Sequence, residues 1–580
     1  MAKQQCSSFL PNRFCGFSPY QVAAGILCLL TLIFSGTSVF AQTNAGQIKG
    51  VVTDNTRALI PGATVTVTQV ATNVRVERVT NSAGEFLFPS LPVGECQLSV
   101  AAAGFKQLIK TGIDLRIGQT IDLELTLEIG AVSAMATITT GEQLLQTSTG
   151  EVSDVIGRER VAELPLNGRQ FLQLTLLSEG VVRPPGGTRG NALQQAGELV
   201  NVAGQRSGHN IYLLDGVKVT DEYFNNLVIN PSIDSIQEFK IQKTAYAAEF
   251  GGKASALINV ATKSGSKAVH GSGFEFLRND HLDARNFFDD PNRAIPPFRQ
   301  NQFGGTLGGP IPITRDKKSV SKTFFFASYE GQRIRQSLTK TFSVPTAAMR
   351  AGDLSAFAAI YDPLTTDATG NRTAFVGNRI PVQRLDLVAT ALLARIPLPN
   401  APGSSRNLIS TAVERTNLDQ YSLRLDHQLT SKDSLFARLS IFHARAFQPF
   451  GSGKLFEALA PGFGRQLTTR AMNLALSHTH FFTPDILNEI RIGYLGVSGG
   501  QVSENRGVDF ASSVGLLGTT RNVDDLGYPQ VSLGGLFTNI GDPTAFVTRR
   551  DTSVEFYDNV FLNRGPHKIK GRRLLVSPQL

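Results

Sequence analysis

The sequence predicts a chain dominated by β-structure: an N-terminal β-sandwich, a central unit mixing strands with short helical turns, and a partial transmembrane antiparallel β-barrel. Three observations carry this. Short apolar–polar alternations broken by Gly and Pro fill residues 46–128, longer alternations with connections of unequal length begin at His270, and no internal apolar run is long enough to cross a bilayer as a helix. Of the 580 residues, 41% are hydrophobic and 18% charged, which supplies several cores and leaves too little charge for a disordered chain.

The formal charge of +9 sits largely at the two ends. Lys3 and Arg13 occupy residues 1–41 without an acid, and Arg564, Lys568, Lys570, Arg572 and Arg573 do the same near residue 580. The rest is nearly balanced, so no basic groove is available and nucleic acid is not an expected partner. Residues 1–41 read as a signal peptide, with an apolar run over 22–34 and the small residues Val39 and Ala41 ahead of Gln42. That run falls short of the roughly 20 residues a spanning helix needs, although an uncleaved anchor is the alternative. Cys6, Cys15 and Cys28 belong to this leader; Cys96 alone remains, which excludes an intramolecular disulfide and Cys-based metal clusters.

The first alternation, Ile48-Lys49-Gly50-Val51-Val52, leads to the turn Ile60-Pro61-Gly62. After it, Ala63, Val65 and Val67 face one way and Thr64, Thr66 and Thr68 the other. Several such strands need a second sheet over their apolar face, so residues 46–128 are expected to form a sandwich. Gly50-Val51-Val52-Thr53-Asp54, Ile60-Pro61-Gly62-Ala63-Thr64-Val65, Asn81-Ser82-Ala83-Gly84-Glu85-Phe86, Leu91-Pro92-Val93-Gly94 and Ala103-Gly104-Phe105 resemble the carboxypeptidase regulatory-like family. The resemblance implies a structural or binding module without peptidase activity, and the segment holds no His for a zinc site.

Residues 129–149, rich in Ala, Ser, Thr and Gly, read as a linker to a central unit over 150–265. There Leu164-Pro165-Leu166-Asn167-Gly168-Arg169, then Phe171, Leu172, Leu174, Leu176 and Leu177, suggest a turn capped onto a short helix. Ile211-Tyr212-Leu213-Leu214-Asp215-Gly216-Val217 reads as a strand entering a tight turn, where Asp-Gly suits positive φ. This block, with Ile233-Asp234-Ser235-Ile236-Gln237-Glu238-Phe239, Ala247-Ala248-Glu249-Phe250-Gly251-Gly252 and Ala256-Leu257-Ile258-Asn259-Val260-Ala261-Thr262-Lys263, resembles the plug of the TonB-dependent receptors in order and spacing. The resemblance implies an α+β plug domain that fills a barrel and moves when the TonB-ExbB-ExbD energising complex pulls a short segment ahead of it. Asp215, Gly216, Gly251, Gly252 and Asn259 are its plug-motif residues. Ala136-Thr137-Ile138-Thr139 is the candidate TonB-contact segment, against the alternative of an ordinary Thr-rich linker. A phosphate-loop reading of Gly252-Lys253 fails, because Ala254 stands where Ser or Thr would ligate magnesium and Ala247 where the first Gly belongs.

In the last region, residues 268–580, Tyr421, Leu423 and Leu425 alternate with Ser422, Arg424 and Asp426. Thr430-Ser431-Lys432-Asp433 turns the chain, and Leu435, Ala437, Leu439 and Ile441 resume the pattern. In a second hairpin Met472, Leu474 and Leu476 precede the turn Phe482-Thr483-Pro484-Asp485, after which Ile486, Ile490, Ile492 and Tyr494 share a face. Charges alternating with Leu suit a strand with one face in lipid and the other toward a wet lumen. Asn301-Gln302-Phe303-Gly304-Gly305-Thr306-Leu307-Gly308-Gly309-Pro310, Lys322-Thr323-Phe324-Phe325-Phe326-Ala327-Ser328-Tyr329-Glu330-Gly331 and Val344-Pro345-Thr346 resemble the Oar-like receptors, TonB-dependent receptors that begin with a regulatory-like sandwich. With no Trp, Phe and Tyr are expected to supply the interfacial aromatics, including the Phe run ending at Tyr329. Such a receptor has about 22 barrel strands, whereas about ten are traceable here. Residues 571–580 lack a closing aromatic strand and contain Pro578, which cannot donate to a ladder, so an incomplete barrel in a truncated or frameshifted member is expected.

No catalytic, cofactor or metal residues are assigned. His478 and His480 share a strand face but lack a third ligand nearby in sequence, and so read as polar residues near a strand end. Asp289 with Asp290, and Asp524 with Asp525, read as solvated turns, and no Gly-x-Ser-x-Gly elbow occurs. The functional expectation is an outer-membrane receptor for a bulky nutrient (siderophore, glycan or peptide), with its sandwich in the periplasm and lipid, the energising complex and an unknown ligand as partners. A surface-exposed adhesion or structural protein without transport is the alternative.

Overall fold

The computed structural model describes residues 45–130, 135–139, 151–184, 199–221, 225, 227–244, 250, 253–285, 294–312, 321–450, 462–483, 485–520, 522–533, 537–539, 541–542, 547–564 and 567–579; the expected leader, 1–41, lies outside them.

The first unit contains β1 (Gly46–Asp54), β2 (Thr64–Gln69), β3 (Arg75–Val79), β4 (Glu85–Leu91), β5 (Gly94–Ala101), β6 (Gln107–Leu115), β7 (Thr120–Leu127) and β8 (Met135–Thr139). Two sheets, β4-β1-β7 and β3-β2-β5-β6-β8, close over one apolar core in which Ala63, Val65 and Val67 are buried while the threonines between them are not. Asn81 holds the turn into β4, its Oδ1 accepting from the amides of Ala83 and Glu85. Gly84 completes that turn with a left-handed φ of 65°, and a Cβ there would meet the Val52 carbonyl at 2.8 Å. Cys96 is buried in the core, and burial pushes its thiol up to about 12. Strand β8 departs from the sequence reading: it lies inside the expected linker, yet pairs in parallel with β6 from Gln107↔Met135 to Thr111↔Thr139 and forms the sheet edge. The β-branched run Thr137-Ile138-Thr139 favours extended backbone, so a stretch that lacks core residues still makes a ladder.

The central unit contains β9 (Val152–Ile156), α1 (Arg158–Glu163), β10 (Val181–Val182), β11 (Asn201–Val202), β12 (Ile211–Leu214), β13 (Val217–Lys218), β14 (Ile236–Thr244) and β15 (Leu257–Thr262). Its mixed sheet runs β13-β12-β15-β14-β9, with β15 buried along its whole length. The expected helix over Phe171–Leu177 is a 3-10 helix. Its buried residues, Phe171 with Leu174 and Leu172 with Thr175, lie three apart, the spacing that three residues per turn stacks on one side.

Beyond it, β16 (His270–Asn279), β17 (Phe298–Pro310), β18 (Thr323–Phe342), β19 (Leu408–Gln428), β20 (Asp433–Gln448), β21 (Arg465–Thr483), β22 (Ile486–Ser503), β23 (Val547–Arg564) and β24 (His567–Gln579) form one antiparallel sheet in sequential order. Among the described residues the sheet has nine strands against the ten or so expected. Pro578 does not end the ladder: it lies on β24, an edge strand among the described residues, and pairs with Ser553 of β23, a position where a sheet tolerates proline. Connections alternate in length. Few residues separate β19 from β20, β21 from β22 and β23 from β24 at one end, while long excursions join β18 to β19 and β22 to β23 at the other. Those excursions fold on a small core of their own, built from Phe342, Val344, Leu392, Ile396, Phe463, Phe510 and Tyr528 among others.

Both predicted hairpins hold their register: Tyr421↔Ile441, Leu423↔Leu439 and Leu425↔Ala437 in one, Leu474↔Tyr494 and Leu476↔Ile492 in the other. These residues face outward and are open, with Leu423 at 44%, Ile441 at 39% and Met472 at 40% exposure. The opposite face carries Glu330, Arg438, Asn473, Glu489 and Glu555, and is buried. A sheet with leucines outside and charges inside is the inverse of a soluble fold and is the arrangement of a membrane barrel. Polar residues bound the apolar band: Asp433 and His443 share the outward parity of Leu435 and Ile441, and Asp419 lies opposite His443. At about 3.4 Å per residue and a tilt of about 40°, the rise from Asp433 to His443 is about 25 Å, the height of a barrel's lipid-facing belt. The Phe run divides: Phe324 and Phe326 point inward and are buried, because alternate residues of a strand take opposite faces. Phe325 shares the outward parity of Tyr329, whose ring lies tilted against Tyr421 at 4.9 Å and edge-on to Phe303 at 6.1 Å.

Candidate functional site: a charged seam inside the sheet

The turn between β12 and β13 sets the centre of the seam. Asp215 and Gly216 both take positive φ, 47° and 78°, as a two-residue hairpin requires. The turn points the Asp215 carboxylate away from its own strands, where Oδ1 accepts from the Thr262 amide at 2.9 Å and Oδ2 from the Thr262 hydroxyl at 2.8 Å. Two arginines of the barrel sheet close on it. Arg438 Nε of β20 lies 2.8 Å from Oδ2 without hydrogen-bond alignment, an ion pair by proximity, and Arg424 Nη1 of β19 lies 3.4 Å from Oδ1.

Each arginine is further anchored. Arg438 is fully enclosed and donates to the Leu214 carbonyl at 3.0 Å, Ser440 at 2.7 Å and Asn473 Oδ1 at 2.5 Å. Arg424 donates to the Thr262 carbonyl at 2.8 Å and to Asp426, which also accepts from Ser264 at 2.7 Å. A charge pair removed from water holds only when its remaining donors and acceptors are largely met; here both units supply partners at once, and Arg438 Nε alone of that guanidinium meets its carboxylate by proximity without a hydrogen bond.

The seam continues around the central unit. Asp221 pairs with Arg549 of β23 at 3.0 Å, and the Lys218 amide donates to Glu555 at 3.2 Å. On the other flank Ser232 donates to Glu330 of β18 at 2.6 Å, and Arg169 pairs with Asp234 while lying 4.4 Å from the Phe274 ring of β16. Between these polar contacts Phe442, Ala471, Leu495 and Val497 of the sheet join the central apolar core. Gly493 lets the units approach: a Cβ there would stand 2.6 Å from Val217.

A second junction joins the sandwich to the central unit. The Ile117 amide donates to the buried Glu238 carboxylate, and Lys240 pairs with Glu151 at 2.8 Å beside Gly118. Burial raises the Glu238 carboxyl to about 7, with nearby Asp114 adding to the rise.

Of the residues singled out from sequence, Asp215 and Gly216 stand in the seam. Asn259 is buried in β15 opposite Leu213 and Lys240, a position within the central sheet. Residues 136–139 form most of β8, on the sandwich edge. Gly251 and Gly252, like Asp289 and Asp290, lie outside the described residues. Sequence reasoning missed Arg169, Asp221, Glu330, Arg438 and Arg549. The available signal was parity: Glu330 lies between Tyr329 and Gly331, and Arg438 between Ala437 and Leu439, at inward positions of stretches whose outward neighbours carry no charge.

A sheet that turns its leucines to lipid and closes its charged face over a second unit defines the class of outer-membrane β-barrel proteins. The family described as outer membrane beta barrel domain matches residues 261–571, and the chain belongs to it. The carboxypeptidase regulatory-like domain matches residues 47–128. Among curated proteins, the TonB-dependent transporter Oar of Myxococcus xanthus is 28% identical over 355 residues, which cover 57% of this chain and 30% of that protein. The chain thus spans under a third of the length of this relative. Among solved structures, the outer membrane transporter YddB of Escherichia coli aligns over 71% of this chain and 45% of its own, at 10% identity and a TM-score of 0.41. The ferric enterobactin receptor of Pseudomonas aeruginosa aligns over 72% and 47%, at 13% identity and a TM-score of 0.38.

Proposed function

We propose that the chain is part of a TonB-dependent outer-membrane transporter in which the central unit is the plug, the sandwich lies in the periplasm, and uptake of a bulky nutrient is gated by moving the plug. One observation carries the reading: a separate unit occupies the polar face of the sheet and is held there by ion pairs and hydrogen bonds around Asp215, Arg424 and Arg438. Such contacts can be exchanged for water without breaking a covalent bond, which is what a movable stopper needs. The likeness to Oar supports the same reading. Strand β8 supports the choice of residues 136–139 as the contact segment, because it precedes the plug and, among the described residues, lies at a sheet edge to which a partner strand could add.

The test is retention of the detergent-purified chain by the immobilised periplasmic part of TonB, with ExbB and ExbD absent. Retention, lost in Ile138→Pro, is the expected result, since proline removes a ladder donor. No retention of the native chain would overturn the reading in favour of an adhesion or structural protein, which has no reason to bind TonB.

A further inference from the structure

We propose that Asp433, His478 and His480 form a binding site for one divalent transition-metal ion on the outward face of the barrel sheet, at its tight-turn rim. The three residues come from opposite ends of a pair of consecutive strands, Asp433 from the start of β20 and the histidines from the end of β21, and meet through register. Asp433, the first residue of β20, pairs directly with His480 of β21, and His478 lies two residues along on the same face. His478 Nε2 is 3.1 Å and His480 Nδ1 2.6 Å from Asp433 Oδ1, and the three ligand atoms all lie within 4.8 Å of one another.

Those separations suit a single ion. Zinc bonds to imidazole nitrogen and carboxylate oxygen are about 2.0–2.2 Å, so two ligands on a tetrahedral ion stand about 3.3 Å apart. A small rotation of the His480 ring opens its contact to that value. The Thr430 hydroxyl donates to the other carboxylate oxygen, Oδ2, fixing the carboxylate plane and leaving Oδ1 to the two rings, the outer-shell support that metal-bound carboxylates receive. Side-chain exposures of 39%, 30% and 18% leave an approach from solvent and room for a further ligand such as water. Two imidazoles and one carboxylate with no thiolate select zinc, cobalt, nickel or copper over calcium or magnesium, whose sites are built from oxygen. The ion would tie β20 to β21 at the lower border of the apolar belt, just beneath Leu435.

Co²⁺ titrated into the chelator-treated, detergent-purified chain gives the test, read by visible absorption and calorimetry. One equivalent is expected to bind, competed by Zn²⁺. Affinity is expected to fall on the order of 10–100-fold or more in Asp433→Asn and in His478→Gln, which keep side-chain size and hydrogen-bonding capacity. His443→Gln, at the opposite border of the belt, is expected to leave it unchanged. Absence of a Co²⁺ band in the native chain, or binding that survives both ligand substitutions, would show the trio to be only a histidine–aspartate ion pair and overturn the proposal.

Discussion

The sandwich and the barrel sheet are built from the same alternation with opposite outcomes. In β2 the apolar residues Val65 and Val67 are buried and the threonines face out, whereas in β20 Leu439 and Ile441 face out and Arg438 and Ser440 are buried. Period-2 patterning therefore specifies a strand and its two faces but not which face is the inside. That is decided by what each face meets: in the sandwich a second sheet, in the barrel sheet a charged unit on one side and lipid on the other.

The strongest challenge to this contrast is Asp215→Ala. In a soluble core the change would remove an awkward charge, but here it strands Arg438 and is expected to cost about 3–5 kcal/mol. Denaturant unfolding that follows the central unit would measure it, and a loss under about 1 kcal/mol would mean that the seam is wet and weak. The outward face gives the next test. Leu439→Arg is expected to destabilise the barrel in lipid by about 2–4 kcal/mol, and folding titrations in vesicles would report it. At the junction of the sandwich with the central unit, Glu238 is more readily protonated when docked than when free. Docking strength tied to its proton is thus fully present below the ordinary value near 4.5 and lost as pH rises through about 7. The loss amounts to at most about 3 kcal/mol, and spin-label distances between sandwich and central unit at pH 5 and pH 8 should separate in the native chain but not in Glu238→Gln. The smallest effect is reserved for Thr66→Arg, which adds the same charge to an outward residue of the sandwich and is expected to change stability by less than about 0.5 kcal/mol.

Much of the architecture was legible because it is local. The Tyr421–Ile441 hairpin follows from two alternating runs and a polar turn, and its register in the sheet is the one the sequence implies. The seam was half legible: Arg424 and Asp426 were seen to need a polar surface, but their partner Asp215 lies in another unit, and no local pattern joins Arg424 to it across the fold. The metal trio escaped for a related reason. His478 and His480 announce themselves, while Asp433 reaches them only through β20–β21 pairing, and the long connection between those strands hides the register. Strand β8 was missed because an edge strand needs no core residues, and the 3-10 segment because spacings of three and of 3.6 cannot be told apart over seven residues.

The belt of outward leucines between Asp433 and His443 also acts as an address. A hydrophobic height of about 25 Å fits the thin bacterial outer membrane better than a bilayer of ordinary thickness near 30 Å. In a thicker bilayer the polar rims would be drawn into hydrocarbon, and stretching or compressing lipid around the protein costs a fraction of a kcal/mol for each ångström of misfit. Repeated around the circumference, that small penalty disfavours residence in the wrong membrane without any receptor having to read a signal.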